Sequence, residues 1–427
     1  MQELKPLALT GVLLAVSVQP ACNRDPAPGW VRPPSPTPVA ASVGSPRSCL
    51  ALPGGSAEAL GCWVSWLAAP ALAGRAAGSP GGATARAGIE AVLRDMSLGP
   101  GGEDAEYTQA LPVGANVLAL ARGSDPARAG EVVLLAAHYD HLGVRGEATY
   151  LGADDNASGV AVLLEVARKI AARPPARSVL LAAFDAEEPP AYRTPAMGSN
   201  YWVAHPTVPR GQLVAMLCMD LMGGNLWPGE RTPLYVMGRE TIGAVGAPVL
   251  ADAPLAARAM HLRLVEDLPT GRQAFSDHGA FFAERTPVLF FSSGRSPHYH
   301  RASDVPETLD HDKLAAEVEV VEAHLRWLAD LPERPGWQTE QPVTAADAAA
   351  LADLLAAASA ATGSPEITAM AAPVIRADLA TLRRLASVPP GTALAEPEAR
   401  TVIAVSLRLQ CLLAPDDEAP TATCLMM

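Results

Sequence analysis

Aromatic residues make up only 5% of the 427 positions, and positive charge is in deficit. Lys and Arg total 32 against 45 Asp and Glu, a formal net charge of −13. An acidic chain of this kind is poorly suited to non-specific nucleic-acid binding or to a basic hold on a membrane surface. Long hydrophobic runs are also missing: the stretch from Leu7 to Val18 is too short for a comfortable transmembrane span. The six cysteines are scattered and form no thiolate cluster, which excludes the Cys-rich structural zinc sites. The 49% of hydrophobic residues is enough for one large core or two smaller ones.

The N-terminus carries Lys5, then the apolar stretch, then "QPAC" ending at Cys22, then a Pro-rich tract from Asp25 to Pro46. Length and flanks predict an export signal. The arrangement resembles a bacterial lipoprotein signal in which Cys22 becomes the lipidated first residue, although Gln19 stands where Leu or Val is usual. A lipid on Cys22 and an extended Pro-rich linker would tether a folded body near a membrane, facing the periplasm or cell exterior. The expected organisation is a signal peptide at 1–21, anchor and linker at 22–48, a catalytic domain at 49–335, and an Ala-rich helical extension at 336–427. Export permits disulfides. Of the three pairings open to Cys49, Cys62, Cys411 and Cys424, the local pairs Cys49–Cys62 and Cys411–Cys424 are expected, and Cys218, inside an apolar run, is expected to be a buried free thiol.

Beyond the linker, 57–96 reads as interrupted helix. Apolar runs then occur at 116–121, 131–137, 178–184, 213–219 and 287–291, with a helical stripe over 157–172 and a long helix over 312–331. Near-continuous apolar runs separated by helices are what a sheet buried on both faces requires. The expected fold is an α/β/α three-layer sandwich on a mostly parallel mixed sheet. Three further helical runs, 345–361, 366–386 and 396–413, form the extension.

Polar clusters follow these runs. The run 131–137 delivers His138 and Asp140, the run 178–184 Asp185, Glu187 and Glu188, and the run 213–219 Asp220. "GADDNASG" places Asp154 and Asp155 directly before a helix, and "PHYHRASD" supplies His298, Tyr299, His300 and Asp304 after the last run. Sites in open α/β sheets lie outside the carboxyl ends of the strands, where every one of these clusters falls. Carboxylates with imidazoles suit zinc at a site open to water. Two ions would take about six protein bonds, which one bridging carboxylate reduces to five residues. Strand alternation puts His138 and Asp140 on one face and turns Tyr139 and His141 away, so His141 is expected to drop out. Asp140 is within local reach to hold the His138 imidazole. Acids before a helix commonly cap it, a role open to Asp154 or Asn156.

Taken in order, "EVVLLAAHYDHLG", "GADDNASGVAVLLEVAR", "AFDAEE", "MGSNYWVAHP", "MDLMG", "FSDHGAF" and "YHRASD" resemble the two-zinc exopeptidases that include bacterial leucyl-type aminopeptidases, aminopeptidase Y and glutamate carboxypeptidases. The resemblance runs from about Leu67 to Leu331. It implies two zinc ions bridged by Asp155, one completed by His138 and Asp220, the other by Glu188 and His300. It further implies Glu187 as general base and Tyr299 as a donor to the tetrahedral oxyanion, with Asp140 as a supporting carboxylate; Asp304 is placed either to support His300 or to cap the following turn. His205 and His298 are expected to be structural or at the surface, and Asp277 and His278 match a family segment without an assignable role. The Pro-rich stretch 189–197 departs from the shorter family loop and puts substrate specificity in doubt.

The favoured expectation is an exported aminopeptidase acting on peptides. A glutamate-type carboxypeptidase on the same site would need a cationic clamp, for which Arg272, Arg295 or Arg301 could serve. Glutaminyl cyclases share the fold but use one zinc, so five intact ligands argue against that activity. A 2-His-1-carboxylate iron oxygenase fits the motif but not the alternation of runs and helices. A non-catalytic binding lipoprotein predicts a lost ligand or base, and none is missing.

Overall fold

Strand and helix boundaries follow the hydrophobic pattern closely. The computed structural model describes residues 44–225, 234–243, 259–264, 274, 276–338, 342–360 and 371–413. Cys22, the expected signal and anchor, Arg272 and Cys424 lie outside these residues. The strands are β1 (Gly99–Pro100), β2 (Thr108–Ala110), β3 (Ala115–Ala121), β4 (Val132–His138), β5 (Gly143–Arg145), β6 (Ala148–Tyr150), β7 (Ser178–Phe184), β8 (Leu213–Met219), β9 (Tyr235–Met237), β10 (Met260–Leu262) and β11 (Val288–Ser292). The helices are α1 (Arg47–Leu50), α2 (Ala57–Leu67), α3 (Pro80–Asp95), α4 (Ser158–Ala172), α5 (Gly198–Ala204), α6 (His278–Ala283), α7 (His311–Asp330), α8 (Ala345–Ala360), α9 (Ala371–Leu385) and α10 (Glu396–Leu413).

The main sheet runs β1-β3-β7-β4-β8-β11-β9-β10, with β2 beside β3. Its centre is parallel: β4 pairs with β7 and with β8, and β8 with β11. Antiparallel pairings of β3 with β7 and of β9 with β11 make the sheet mixed. The register aligns His138 with Phe184 and Met219 with Phe291, so the four parallel strands end along one edge. That edge carries every polar cluster named above.

Both faces are covered, as the unbroken apolar runs require. Val133, Leu135, Ala137, Val179, Leu181 and Ala183 face one core, shared with α2, α3, α4 and α7. The alternate residues Leu134, Ala136, Leu180, Ala182 and Phe184 face the other. That second core takes Trp202, Phe281 and the apolar sides of α8, α9 and α10, including Leu354, Leu382 and Val405. The Ala-rich extension therefore completes a layer of the sandwich. Each large apolar side chain buried this way contributes about 1.5–3 kcal/mol, so exposing that face by removing the extension would be costly.

Local chemistry fixes the helix starts. Ser56 caps α2 by accepting from Ala59 N at 3.1 Å, Ser79 caps α3 by accepting from Gly82 N at 3.0 Å, and Asp310 caps α7 by accepting from Lys313 N at 3.0 Å. Cys49 and Cys62 form a disulfide, as their local spacing suggested, and Cys218 is a buried free thiol. Among the described residues no helix is long and apolar enough to cross a membrane.

Candidate metal centre

Four strand ends and one helix entry converge on a buried group of acids and imidazoles. His138 closes β4, Glu187 and Glu188 follow β7, Asp220 follows β8, and Asp155 lies just before α4. His300 sits in the loop after β11 with a left-handed φ of 54°, a backbone state that a non-glycine residue rarely holds without a local reason. Its side chain is about a third exposed at 32%, whereas Asp155 and Glu188 are each 4% exposed.

Asp155 divides its two oxygens. Oδ1 lies 3.4 Å from His138 Nε2, which is also 3.4 Å from Asp220 Oδ1. Oδ2 lies 3.1 Å from His300 Nε2, which is 3.3 Å from Glu188 Oε1. A four-coordinate zinc with bonds of ~2.0–2.1 Å needs donors about 3.3 Å apart. The separations on both sides of Asp155 match that spacing. His138 Nε2 and Asp220 Oδ1 on one side of Asp155, and Glu188 Oε1 on the other, are buried without a hydrogen-bond partner, which is costly unless cations sit among them. The donor set therefore fits zinc.

The field of the site points the same way. Burial opposes a charged His138, but Asp220, Glu187, Asp140 and Asp155 outweigh it and raise its pKa well above the ordinary imidazole value. His300 behaves alike: burial lowers its pKa, while Asp155 and Glu188 raise it to about 10. Burial would raise Asp155, yet His138, His300 and His141 hold it well below the usual carboxylate range. A site that draws protons onto its imidazoles offers the same potential to a metal ion, and the two compete for the same nitrogens. Burial pushes Glu187 well above its ordinary value; His138 opposes this, and Glu188, Asp220 and Asp277 add to it. Burial also raises the Tyr299 phenol well above its usual value, despite nearby Arg295, so it stays neutral. Tyr299 stacks on His300 with ring centroids 3.9 Å apart.

Two buried carboxylates hold the ligand-bearing backbone in matching ways. Asp140 accepts from Glu187 N and Glu188 N, both at 3.1 Å. Its Oδ1 is 3.6 Å from His138 Nδ1, and its backbone oxygen is 3.3 Å from that nitrogen. Asp304 accepts from Asp154 N at 2.8 Å and Asp155 N at 3.1 Å, so it supports the Asp155 segment and not, as its position beside His300 suggested, that imidazole. Asn156, just before α4, accepts from Gly159 N in the first turn at 3.1 Å. Glu317 of α7 accepts from Gly223 N at 2.8 Å and Ser293 Oγ at 2.7 Å, tying down the loops after β8 and β11.

One expectation is corrected. His141 does not turn away: β4 ends at His138, so strand alternation no longer governs position 141. Its buried imidazole faces Asp155 and Glu188, with Nδ1 2.9 Å from Glu188 Oε1 and 3.7 Å from Asp155 Oδ2. Tyr139 does turn away, its hydroxyl donating to Asp185 at 2.6 Å and Ala115 O at 2.9 Å. His205 is exposed, and His298 lies beside Ser303 at 3.0 Å, away from the donor groups. Asp277 is fully buried, and burial, with Asp220 and Asp140, raises its pKa to about 7 despite His138. Sequence reasoning missed Arg75, a fully buried guanidinium that donates to the carbonyls of Leu67, Tyr139, Leu151, Gly152 and Asp155. A single Arg in the small-residue run "ALAGRAAG" was the available signal. The stretch 189–197 folds as tight turns beside the site, where Arg193 donates to Ala274 O at 2.7 Å and burial together with Glu187 raises Tyr192 to about 12.

Residues 116–324 match the family described as peptidase family M28. The chain is 30% identical over 215 residues to the uncharacterized protein YfbL of Escherichia coli K12, a match covering 45% of this chain and 65% of that protein. It is 32% identical over 160 residues to a probable zinc metalloprotease of Leptosphaeria maculans, covering 36% of this chain and 34% of that one. The chain thus spans less than two thirds of the length of these curated relatives. The LapA aminopeptidase of Legionella pneumophila is 18% identical with a TM-score of 0.50, over 65% of this chain and 73% of that one, a likeness of fold.

Proposed function

We propose that this chain, which belongs to peptidase family M28 through residues 116–324, is an exported exopeptidase that uses two zinc ions to remove N-terminal residues from peptides. The observation that carries this reading is the division of the Asp155 oxygens between His138 with Asp220 and His300 with Glu188. His138, Asp155 and Asp220 would hold one ion, and Asp155, Glu188 and His300 the other. When bound, the ions would lower the pKa of a water and draw electron density from the scissile carbonyl.

The chain's own residues supply the rest. Glu187, whose backbone N–H is fixed by Asp140, takes a proton from the attacking water and returns it to the leaving amine. Burial raises its basicity above that of an ordinary carboxylate, which favours its taking the proton. Tyr299, held neutral, donates its hydroxyl proton in a hydrogen bond to the developing oxyanion. Asp140 and Asp304 keep the two ligand-bearing dipeptides in place. The 189–197 turns rim the approach to Glu187 and would select the substrate side chain. Cys22, if lipidated, would hold the enzyme at a membrane.

The test pairs metal analysis with aminoacyl-p-nitroanilides and N-blocked peptides. Chelator-sensitive cleavage of the free-amine substrates is expected. Cleavage of N-blocked peptides alone would replace the aminopeptidase reading with a carboxypeptidase one, and no chelator-sensitive cleavage of either would end both. Glu187→Gln should retain metal and lose roughly 10²–10⁴-fold in turnover; full activity would remove Glu187 as base. Cys22→Ser should release the protein from membranes, and unchanged partitioning would reject the anchor.

A further inference from the structure

The five residues assigned above leave one imidazole at the centre unexplained. His141 is 1% exposed, and neither ring nitrogen has a hydrogen-bond partner. Its Nδ1 comes within 2.9 Å of Glu188 Oε1, yet that oxygen is also without a partner, because the approach is not along a donor axis. Two buried polar atoms this close, with neither satisfied by a well-aligned hydrogen bond, call for a shared partner such as a cation. The ring is seated by construction: Gly152 has a left-handed φ of 62°, and a Cβ there would fall 2.4 Å from His141 Cγ.

His141 and His300 approach the same two oxygens from different directions. His141 Nδ1 is 2.9 Å from Glu188 Oε1 and 3.7 Å from Asp155 Oδ2, while His300 Nε2 is 3.3 Å and 3.1 Å from the same atoms. The rings are edge-on, with an interplanar angle of 63° and centroids 6.0 Å apart. These four separations bracket the ~3.3 Å spacing of zinc donors, and His141, Asp155 and Glu188 offer donor atoms that all lie within 4.8 Å of one another.

We propose that His141 is a sixth metal ligand and that it makes the two sites unequal. On the Glu188 side the donors are Asp155, Glu188, His141 and His300, a full set of four from protein. On the Asp220 side they are His138, Asp155 and Asp220, a set of three with one position left for solvent or substrate. A fourth protein donor strengthens the hold on the Glu188 side, and three donors with an open position leave the Asp220 side more weakly held. The Glu188 side then binds tightly and exchanges slowly. The Asp220 side binds more weakly and sets the zinc concentration at which hydrolysis appears. This assignment rests on the two-zinc reading.

The experiment is zinc binding to the full chain by chelator competition, with cobalt(II) absorption as a second readout of coordination. Wild type should bind two ions in separated phases. His141→Asn, which keeps a similar volume, should weaken the tight phase by roughly 100-fold, the upper end of what loss of even an outer supporting partner costs. It should also change the visible cobalt band of the first equivalent. Asp220→Asn should weaken the loose phase and spare the tight one. A His141→Asn protein that keeps its circular dichroism and both wild-type affinities would overturn the proposal, and so would loss of the tight phase in Asp220→Asn alone. Wild type binding no zinc would instead strike the two-zinc reading itself.

Discussion

Replacing Arg75 by Met tests how the site is held from beneath. The guanidinium is fully buried and donates to five backbone carbonyls, with Tyr139 O at 2.7 Å and Asp155 O at 3.3 Å, spanning the segments that carry His138, His141 and Asp155. Burial lowers its pKa to about 10, while Asp304, Asp155, Asp140 and Glu188 act in the opposite sense. A hydrogen bond to a charged group contributes about 1.5–3 kcal/mol. Five cannot be summed, because removing the cation also removes its desolvation cost. What remains is a set of orphaned carbonyls and four acids without a buried cation whose charge they feel. Truncating one partner of a buried charged network costs about 3–5 kcal/mol, and a loss of about 4 kcal/mol is expected for Arg75→Met. Urea unfolding of the chelated protein measures it. Arg75→Lys should recover only part, since an ammonium carries the charge but cannot reach carbonyls on three segments with a planar fork. A loss under about 1 kcal/mol for Arg75→Met would refute the reasoning, because surface-like substitutions fall in that range.

Two further outcomes follow from groups outside the site. His324 is buried with Nδ1 2.8 Å from Val320 O, and burial lowers its pKa to about 4. Its folded pKa lies below the unfolded value near 6.5, so the unfolded chain takes up the proton first. Its contribution is intact above about pH 6.5 and falls as pH drops toward 4, by up to about 3 kcal/mol. His324→Phe should flatten that part of the stability–pH curve, and an unchanged slope would count against the assignment. Cys49 and Cys62, 13 residues apart, close a loop at the start of the folded body. Cys62→Ala should cost about 2–4 kcal/mol in unfolding measurements, and a reductant that leaves wild-type stability unchanged would contradict this.

The sheet was readable because each parallel strand is buried on both faces and so had to be written as an unbroken apolar run. β7 and β8 occur at the residues expected, and β3, β4 and β11 to within one. The short strands β9 and β10 at one side of the sheet, three residues each, gave no such run. The residues that meet at the centre were also legible, since strand ends fix where a following side chain can go. The reading failed three residues beyond the end of β4. At His141 the alternation that placed His138 no longer applies, and local packing against Gly152 decides the direction of the ring. Arg75 and the backbone partners of Asp140 and Asp304 were invisible for another reason: apart from Leu67, the backbone groups they hold lie 47 to 150 positions away, and no side-chain pattern encodes those contacts. The C-terminal helices were expected as helices, but which face of the sheet they cover is set by tertiary packing alone.

The central claim is that one carboxylate serves two ions, and Asp155→Asn tests it most directly. Zinc stoichiometry and affinity, measured by mass spectrometry after equilibration in zinc buffers, should show two ions per wild-type chain. An amide at position 155 removes one donor charge from both sites at once, so both affinities should fall together. A variant that loses one ion and keeps the other at wild-type affinity would contradict the shared bridge.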